Sequence, residues 1–379
     1  MIYFDHVATT PINPEILKSY FELLSKYFAN SSSQHLLGAR VDSLQTRARQ
    51  QIADLLGIKA EEIIFTSGST EANNTAIKGV GFKYQNRGKH IITTANEHPS
   101  ILKVCEQLEK VFGFEITYLK GNSDGKIELD ELKQVIRKDT ILVSIMQVNN
   151  ETGSINDVEG IGTYLKENHP HVFFHVDAAQ GIGKIPLNLE NIDLLSMSAH
   201  KLNGLKGSGM LIKKNRVQIE PLLAGGNQEN GNRAGTSNWP INVMLAKTLR
   251  LAYESREDHY AIVKRYNDQI REGLKDIDGV FINSPLDASP YILNISFNGH
   301  QAEVISNYLE ENDICVSTVS ACSSQKAIYS YVIYNMFNDM NRAKSSIRIS
   351  LSHLNTDDEI LKLITVIKKA NREVKKKND

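Results

Sequence analysis

Two residues at the ends of apolar runs carry the most chemistry in this chain. Asp177 closes Phe173-Phe174-His175-Val176-Asp177, and Lys201 follows the run that begins Leu194-Leu195-Ser196-Met197. Both runs read as buried parallel strands, so both polar ends emerge at the carboxyl edge of one sheet, where open α/β sheets bind ligands. A carboxylate and a lysine there suit a cofactor with a pyridine nitrogen at one end and an aldehyde at the other. Pyridoxal phosphate is such a cofactor: a lysine takes the aldehyde and an acid faces the ring nitrogen. The plainer alternatives are an Asp that caps its own turn and a lysine that is a surface charge.

Further groups belong to the same edge. Thr66-Ser67-Gly68-Ser69-Thr70-Glu71-Ala72-Asn73 leaves a strand and opens a helix. Its small residues, Ser69 and Thr70 among them, let backbone N–H groups and the helix dipole face an anion; a simple capped helix start is the alternative. Gln180 is placed to bond the ring's phenolic oxygen, with Ser198 and His200 beside the phosphate. Asn149 and Asn150 end another strand and reach that oxygen or a substrate carboxylate, unless they satisfy only their loop. His98, just after a strand in Asn96-Glu97-His98-Pro99, suits ring stacking and proton transfer; a helix-start hydrogen bond is the alternative.

Cys322 lies in the polar small-residue stretch Ser317-Thr318-Val319-Ser320-Ala321-Cys322-Ser323-Ser324. A cysteine in an exposed loop can ionise and attack, whereas a buried one is inert. Cys315, in Asp313-Ile314-Cys315-Val316, reads as core, and Cys105 as structural within a helix. Arg348, flanked by apolar residues in Ser346-Ile347-Arg348-Ile349-Ser350, requires a carboxylate. A substrate α-carboxylate and an internal salt bridge fit equally.

The elements that position these groups alternate. From about residue 61 to 214, strand-like runs end near Thr66, Thr94, Leu119, Gln147, Asp177, Ser198 and Ile212, with helices over about 70–84, 99–112, 129–136 and 155–168. That alternation predicts an α/β fold with a mostly parallel sheet covered on both faces. One long helix is expected over 241–274 by its apolar spacing. A small α+β domain follows, with strands at 280–282, 291–297 and 346–351 and helices at 302–311 and 357–373. The expected division is a large domain over 12–255 and a small domain formed by 1–11 with 256–379.

Composition removes other classes. The 379 residues hold 43 Lys and Arg against 44 Asp and Glu, a net charge of -1. No long-range field points to nucleic acid or a membrane surface. No signal peptide and no run of 18 apolar residues is seen. The three cysteines form neither a disulfide framework nor a zinc spacing. A soluble cytoplasmic protein is the expectation.

Taken in order, these motifs resemble the cysteine desulfurases of the NifS/IscS type, in the class V aminotransferase group of fold-type I pyridoxal phosphate enzymes. The likeness runs nearly end to end. It includes Ala8-Thr9-Thr10-Pro11, Glu97-His98, Val148-Asn149-Asn150-Glu151-Thr152-Gly153, His175-Val176-Asp177-Ala178-Ala179-Gln180, His200-Lys201, Arg233-Ala234-Gly235-Thr236, Ser320-Ala321-Cys322 and Ser346-Ile347-Arg348. The resemblance implies that Lys201 bonds the cofactor, His98 stacks on it, Asp177 faces its nitrogen and Gln180 its phenolic oxygen. Thr70, Ser198 and His200 match phosphate ligands, and Thr236 matches one supplied by the other subunit of a homodimer. Asn149 and Arg348 match substrate-carboxylate contacts. Cys322 matches the nucleophile that takes sulfur from L-cysteine as a persulfide, leaving alanine. A scaffold or sulfurtransferase in iron-sulfur assembly or tRNA thiolation would accept the sulfur.

The chain departs from that pattern at His6-Val7, at Ala29-Asn30-Ser31-Ser32-Ser33, at Ala199, at Leu205, at Asn230, at Val319 and over residues 325–337. None of these removes a reacting group. Two other readings stay open: a selenocysteine lyase or other class V lyase, and a degenerate paralogue kept as a binding scaffold.

Overall fold

The computed structural model describes residues 1–318 and 329–374. β1 (Ile2–Tyr3), α1 (Pro14–Lys26) and α2 (Leu36–Leu56) come first. The alternation then runs β2 (Ile63–Thr66), α3 (Ser69–Tyr84), β3 (His90–Thr94), α4 (Pro99–Phe112), β4 (Glu115–Leu119), α5 (Leu129–Val135), β5 (Thr140–Ser144), α6 (Val158–Asn168), β6 (Phe173–Asp177), β7 (Leu194–Ser198) and β8 (Gly209–Lys213). The remainder is α7 (Trp239–Glu254), α8 (Arg256–Leu274), β9 (Val280–Ile282), β10 (Ile292–Phe297), α9 (Ala302–Glu311), β11 (Ile314–Cys315), β12 (Ser317–Thr318), α10 (Tyr331–Phe337), α11 (Met340–Lys344), β13 (Ser346–Ser350) and α12 (Asp357–Glu373).

Seven strands form the main sheet in the order β2-β8-β7-β6-β5-β3-β4. The pairs from β7 to β4 are parallel, while β8 runs antiparallel to both β7 and β2. The carboxyl ends of β2, β3, β5, β6 and β7 therefore share one edge. Strands β3, β5, β6 and β7 are buried at every position, as a sheet covered on both faces requires. One face packs a core that includes Ile52, Phe174, Leu195 and Leu245, and the other a core that includes Ile77, Ile101, Leu142 and Leu211.

Two histidines cross-link the strands from inside. His175 on β6 meets Ser144 Oγ on β5 at 2.8 Å and Ser196 Oγ on β7 at 2.9 Å. His90 on β3 does the same between Thr140 of β5 and Thr117 of β4, at 2.7 and 2.8 Å. A slip by one residue would turn each ring to the other face and break both contacts.

The second unit is the four-stranded antiparallel sheet β12-β13-β10-β9. Its core gathers Ile295, Ile347, Ile305, Ile360 and Ile367, joined by Phe4 and Val7 from the N-terminus. The N-terminal segment docks there as β1 beside β11, with Ile2 opposite Ile314. No helix among the described residues is long and apolar enough to cross a membrane.

Three expectations are corrected. The single helix over 241–274 is two, α7 and α8, separated at Ser255 (φ -104°, ψ 6°). Ser255 Oγ bonds back to Leu251 O at 2.7 Å, and Glu257 and Asp258 open the new helix with favourable charge. Cys315 is partly exposed on the two-residue β11 and is not core. Helices α1 and α2 lie where none was read. In α1, Ile16 is buried while Leu17, Phe21 and Leu24 face outward, which blurs the apolar stripe.

Burial drives the pKa of His175 from its ordinary 6.5 down to about 3, so the folded ring is neutral. The unfolded chain binds that proton first. Stability is therefore lost as pH falls from about 6.5 toward 3. Urea midpoints should fall over that window, and His175→Gln should flatten the slope; an unchanged slope would remove His175 from the account. Gly209 is a second test. A Cβ there would lie 2.5 Å from Gly68 Cα and 2.5 Å from Met197 O. Gly209→Ala should cost about 1–3 kcal/mol in urea melts.

Candidate active site

β2 ends at Thr66, and the chain turns through Gly68 (φ 153°) into α3. A Cβ on Gly68 would sit 3.1 Å from Ser198 Oγ, so glycine lets the turn close on the end of β7. Ser198 Oγ accepts the Ser69 N–H at 2.7 Å and donates to Ser69 Oγ at 3.1 Å. Thr70 is exposed at the first turn of α3. Glu71 accepts the Ser67 N–H at 2.8 Å and pairs with Arg233 Nε at 2.9 Å, which holds its carboxyl below the ordinary range despite partial burial. That ion pair brings the loop carrying the exposed Thr236 to the α3 N-terminus.

Asp177 ends β6 at 5% exposure. Its Oδ1 accepts the Ala179 N–H at 2.9 Å and its Oδ2 accepts from Asn73 Nδ2 at 2.8 Å. Asn73 Nδ2 also donates to Ser100 Oγ at 2.9 Å, and Ser100 Oγ lies 2.8 Å from His98 Nδ1. The Ser100 N–H donates to the same ring nitrogen at 3.2 Å, so His98 caps α4 and Nδ1 is an acceptor. The ring proton then sits on Nε2. Burial lowers the His98 pKa; Asp177 opposes that shift, and Lys201 and Arg348 reinforce it. Asn73 and Ser100 thus tie Asp177 to His98. Sequence alone did not assign them a role; the signal available was only a polar residue three positions into α3 from Thr70.

Lys201 is held by the N-terminal segment. Its Nζ donates to Val7 O and, at 2.8 Å, to Ala8 O. Gln180 Nε2 donates to the same Val7 O at 3.3 Å, and its Oε1 accepts from Lys184 Nζ at 3.3 Å. His200 contacts Thr9 Oγ1 at 3.2 Å, and its carbonyl accepts two bonds from Thr10. Burial first, then Lys201, Lys206 and Lys184, lowers the His200 pKa to about 4, so the ring is neutral at pH 7.

Arg348 is buried. Its NH2 meets Asp5 Oδ1 at 3.0 Å, its NH1 donates to Asn150 O at 3.0 Å, and its Nε has no partner among the described residues. An internal salt bridge and an open donor therefore coexist on one guanidinium. Asn149 is buried and engaged at both ends. Its Oδ1 accepts from Glu151 N, Thr152 N and Thr152 Oγ1, and its Nδ2 donates to Asn96 O at 2.9 Å. It reaches a ligand only by giving up one of these bonds. Cys322, with Val319 beside it, lies outside the described residues. The segment that follows docks across the edge: Tyr331 OH donates to Glu97 O at 2.6 Å, and Ser330 Oγ to Glu151 Oε2. Cys105 is buried in α4, and burial pushes its thiol up to about 12, far from a nucleophile.

The Aminotransferase class-V profile matches residues 2–363. The chain belongs to this class V family. Among its relatives, the cysteine desulfurase IscS of Glaesserella parasuis serovar 5 is 41% identical over 97% of this chain and 92% of that protein. IscS of Mannheimia succiniciproducens is 42% identical over 99% and 93%. A solved NifS-like protein superposes with a TM-score of 0.91 at 34% identity, covering 97% of this chain and 98% of the other.

The class V cofactor, pyridoxal phosphate, fits the residues present. Asp177 offers carboxylate oxygens at one end. The glycine turn, Ser198 and the N-terminus of α3 form a cradle at the other, and Lys201 follows β7, which lies between β6 and β2 in the sheet. The buried Asn73 Oδ1 has no partner among the described residues.

Asn73 is the testable link. Asn73→Leu removes donors to Asp177 and Ser100 together. It should cost about 1–3 kcal/mol in urea melts and lower kcat by roughly tenfold or more. Wild-type values for both would show that the bridge holds nothing.

Proposed function

We propose that this chain is a pyridoxal phosphate-dependent cysteine desulfurase. It converts L-cysteine to L-alanine and passes the sulfur, through a persulfide on Cys322, to an acceptor protein. The observation that carries this reading is the joint arrangement of Asp177, His98, Lys201 and Arg348 around one sheet edge, in a chain of the class V family.

Pyridoxal phosphate, when bound, supplies an electron sink for the α-carbon of the amino acid attached to it. Asp177 holds a negative charge for the ring nitrogen, while the Asn73 and Ala179 N–H groups keep the carboxylate oriented. Ser69, Thr70, Ser198 and His200 would hold the phosphate, with Thr236 of a second copy completing the set. Gln180 and Asn149 would bond the ring's phenolic oxygen. Arg348 binds the substrate carboxylate with the guanidinium whose buried Nε has no partner among the described residues.

Lys201 as a free amine takes the α-proton at Nζ, and His98 exchanges a proton at Nε2. The Cys322 thiolate then attacks the substrate sulfur. The S–S bond forms as the substrate C–S bond breaks, and that electron pair stays with the three-carbon fragment, which leaves as alanine after protonation. Delivery of the persulfide requires the Cys322 segment to leave the site.

A homodimer is part of the proposal. Leu17, Phe21, Leu24, Phe28, Leu36 and Leu37 expose apolar side chains on α1, α2 and their connection, which is the kind of patch a second copy covers. The acceptor serves iron-sulfur assembly or tRNA thiolation, and the compartment is the cytoplasm.

Labelled cysteine tests the reading. After incubation with sulfur-labelled L-cysteine, mass spectrometry should find the label on Cys322, and Cys322→Ala should form alanine at less than about a hundredth of the wild-type rate. Full sulfur release by that variant, or label on Cys315, would sink the persulfide assignment. Faster turnover of selenocysteine by Cys322→Ala would instead favour a lyase.

A further inference from the structure

A cavity of about 330 Å³ lies beside Lys201, between the N-terminal segment, the α7–α8 junction and the loop after β13. Of the proposed cofactor and substrate groups, only Lys201 lines it. Five nitrogen bases face it: His6, Lys184, Lys201, His259 and His353. No Asp or Glu is among its lining residues. Ile16, Leu251 and Leu351 supply apolar wall. The volume is in the range of small-molecule sites.

These bases come from five separate parts of the chain. His6 belongs to the N-terminal segment, Lys184 to the turns after β6, Lys201 to the turn after β7, His259 to α8 and His353 to the loop after β13. His6 is 5% exposed and its Nδ1 has no hydrogen-bond partner among the described residues. Lys184 is 8% exposed; its Nζ reaches Gln180 Oε1 at 3.3 Å and stands 5.5 Å over the Tyr291 ring, but forms no ion pair among the described residues. His259 and His353 stack face to face, with centroids 3.4 Å apart and planes within 2°. Ser255 Oγ donates to Leu251 O, so the His259 Nδ1 contact with that oxygen at 3.2 Å is a donation. A buried lysine without an acid and a buried imidazole nitrogen without a partner both cost stability unless something pairs them.

We propose that this cavity is an anion site, separate from the cofactor cradle, that binds a small organic carboxylate between Lys184 and His6 with its hydrocarbon against Ile16, Leu251 and Leu351. A metal ion does not suit it. Among the described residues no His, Cys, Asp or Glu group is arranged to hold one. An anion, by contrast, supplies a negative partner for Lys184 and an acceptor for the His6 ring.

Electrostatics agree. Burial, then Lys201, lowers the Lys184 pKa to about 7; burial, then Lys184, lowers His6 to about 4. His353 falls to about 4 through burial and then His259, and His259 is lowered by burial against the pull of Asp258. The neighbours thus repel one another's protons. A bound carboxylate relieves that repulsion, raises the Lys184 pKa and draws in a proton.

The experiment uses purified holoprotein and titration calorimetry with benzoate, and with benzamide as the uncharged isostere. Benzoate should bind and benzamide should not. Binding should take up a proton, seen by comparing buffers of different ionisation heat. The Kd should rise about tenfold between about pH 7 and about pH 8.5, as free Lys184 loses its charge. Lys184→Met and His6→Phe should each weaken binding tenfold or more, while Arg348→Lys should not. Equal binding of benzoate and benzamide, no proton uptake by the wild type, or binding lost in Arg348→Lys but kept in Lys184→Met would overturn the proposal. The last result would place the anion at the substrate arginine. The proton count needs no variant, so it decides the matter even where a substitution unfolds the chain.

Discussion

The alignment of β5, β6 and β7 is the constraint on which everything else rests. His175 sits at its centre, accepting or donating at both ring nitrogens to Ser144 and Ser196 on the flanking strands. Two residues beyond His175 lies Asp177, and two beyond Ser196 lies Ser198. Side chains alternate along a strand, so Asp177 and Ser198 share the face that His175 fixes. The same register sets the start of the turn that presents Lys201. An alternating apolar pair in place of these hydrogen bonds would leave the strands free to slip, and a slip turns Asp177 away from Asn73. The buried histidine therefore contributes geometry to a site that it does not touch.

Two buried carboxylates near this edge are treated in opposite ways. Asp177 accepts from two N–H donors, one on each oxygen. Glu97, fully buried on the neighbouring loop, accepts from Met146 N and Thr94 Oγ1 through one oxygen, and its other oxygen has no partner among the described residues. Burial first, and then the charge of Asp177, pushes Glu97 up to about 8. A protonated Glu97 beside an anionic Asp177 avoids two adjacent charges in a dry environment. That division of roles keeps the negative charge of the edge at one position, where a ring nitrogen needs it.

The sheet was legible in the sequence because its strands are buried on both faces and end in polar residues. Runs such as Phe173-Phe174-His175-Val176-Asp177 announce both their length and their functional end. The helix starts at Ser69 and Pro99 were equally plain, since a glycine turn and a proline mark them. Relations across the chain were less visible. Nothing local distinguishes Asn73 from Asn74, yet one is buried against Asp177 and the other bonds back to Thr70 O. Lys184 reads as one lysine among many until the fold buries it without an acid. The break at Ser255 hides inside an unbroken apolar periodicity, because a serine that bonds back to its own helix leaves the pattern intact. Arg348 was read as either a substrate contact or an internal ion pair. The fold answers with a pair to Asp5 and a donor left over, a combination that spacing cannot express.

The N-terminal segment makes sense of that combination. It is a short stretch with no sheet of its own beyond β1, yet it meets both cationic ends of the site. Asp5 holds the Arg348 guanidinium, while the Val7 and Ala8 carbonyls hold the Lys201 ammonium. Val7 N–H is itself fixed by Ser350 Oγ, two residues beyond Arg348 on the same strand. In the reading proposed above, the substrate's amino and carboxylate groups stand two bonds apart, so the groups that receive them require a fixed separation. Lys201 comes from the large sheet and Arg348 from the small one, and a spacing set only by packing of two units would change whenever the units shift. A single short turn, Asp5 to Ala8, tied to both converts that variable into a covalent distance of a few residues. The same turn carries His6 toward the neighbouring cavity, so an occupant of that cavity would act on the tether between the two halves of the site.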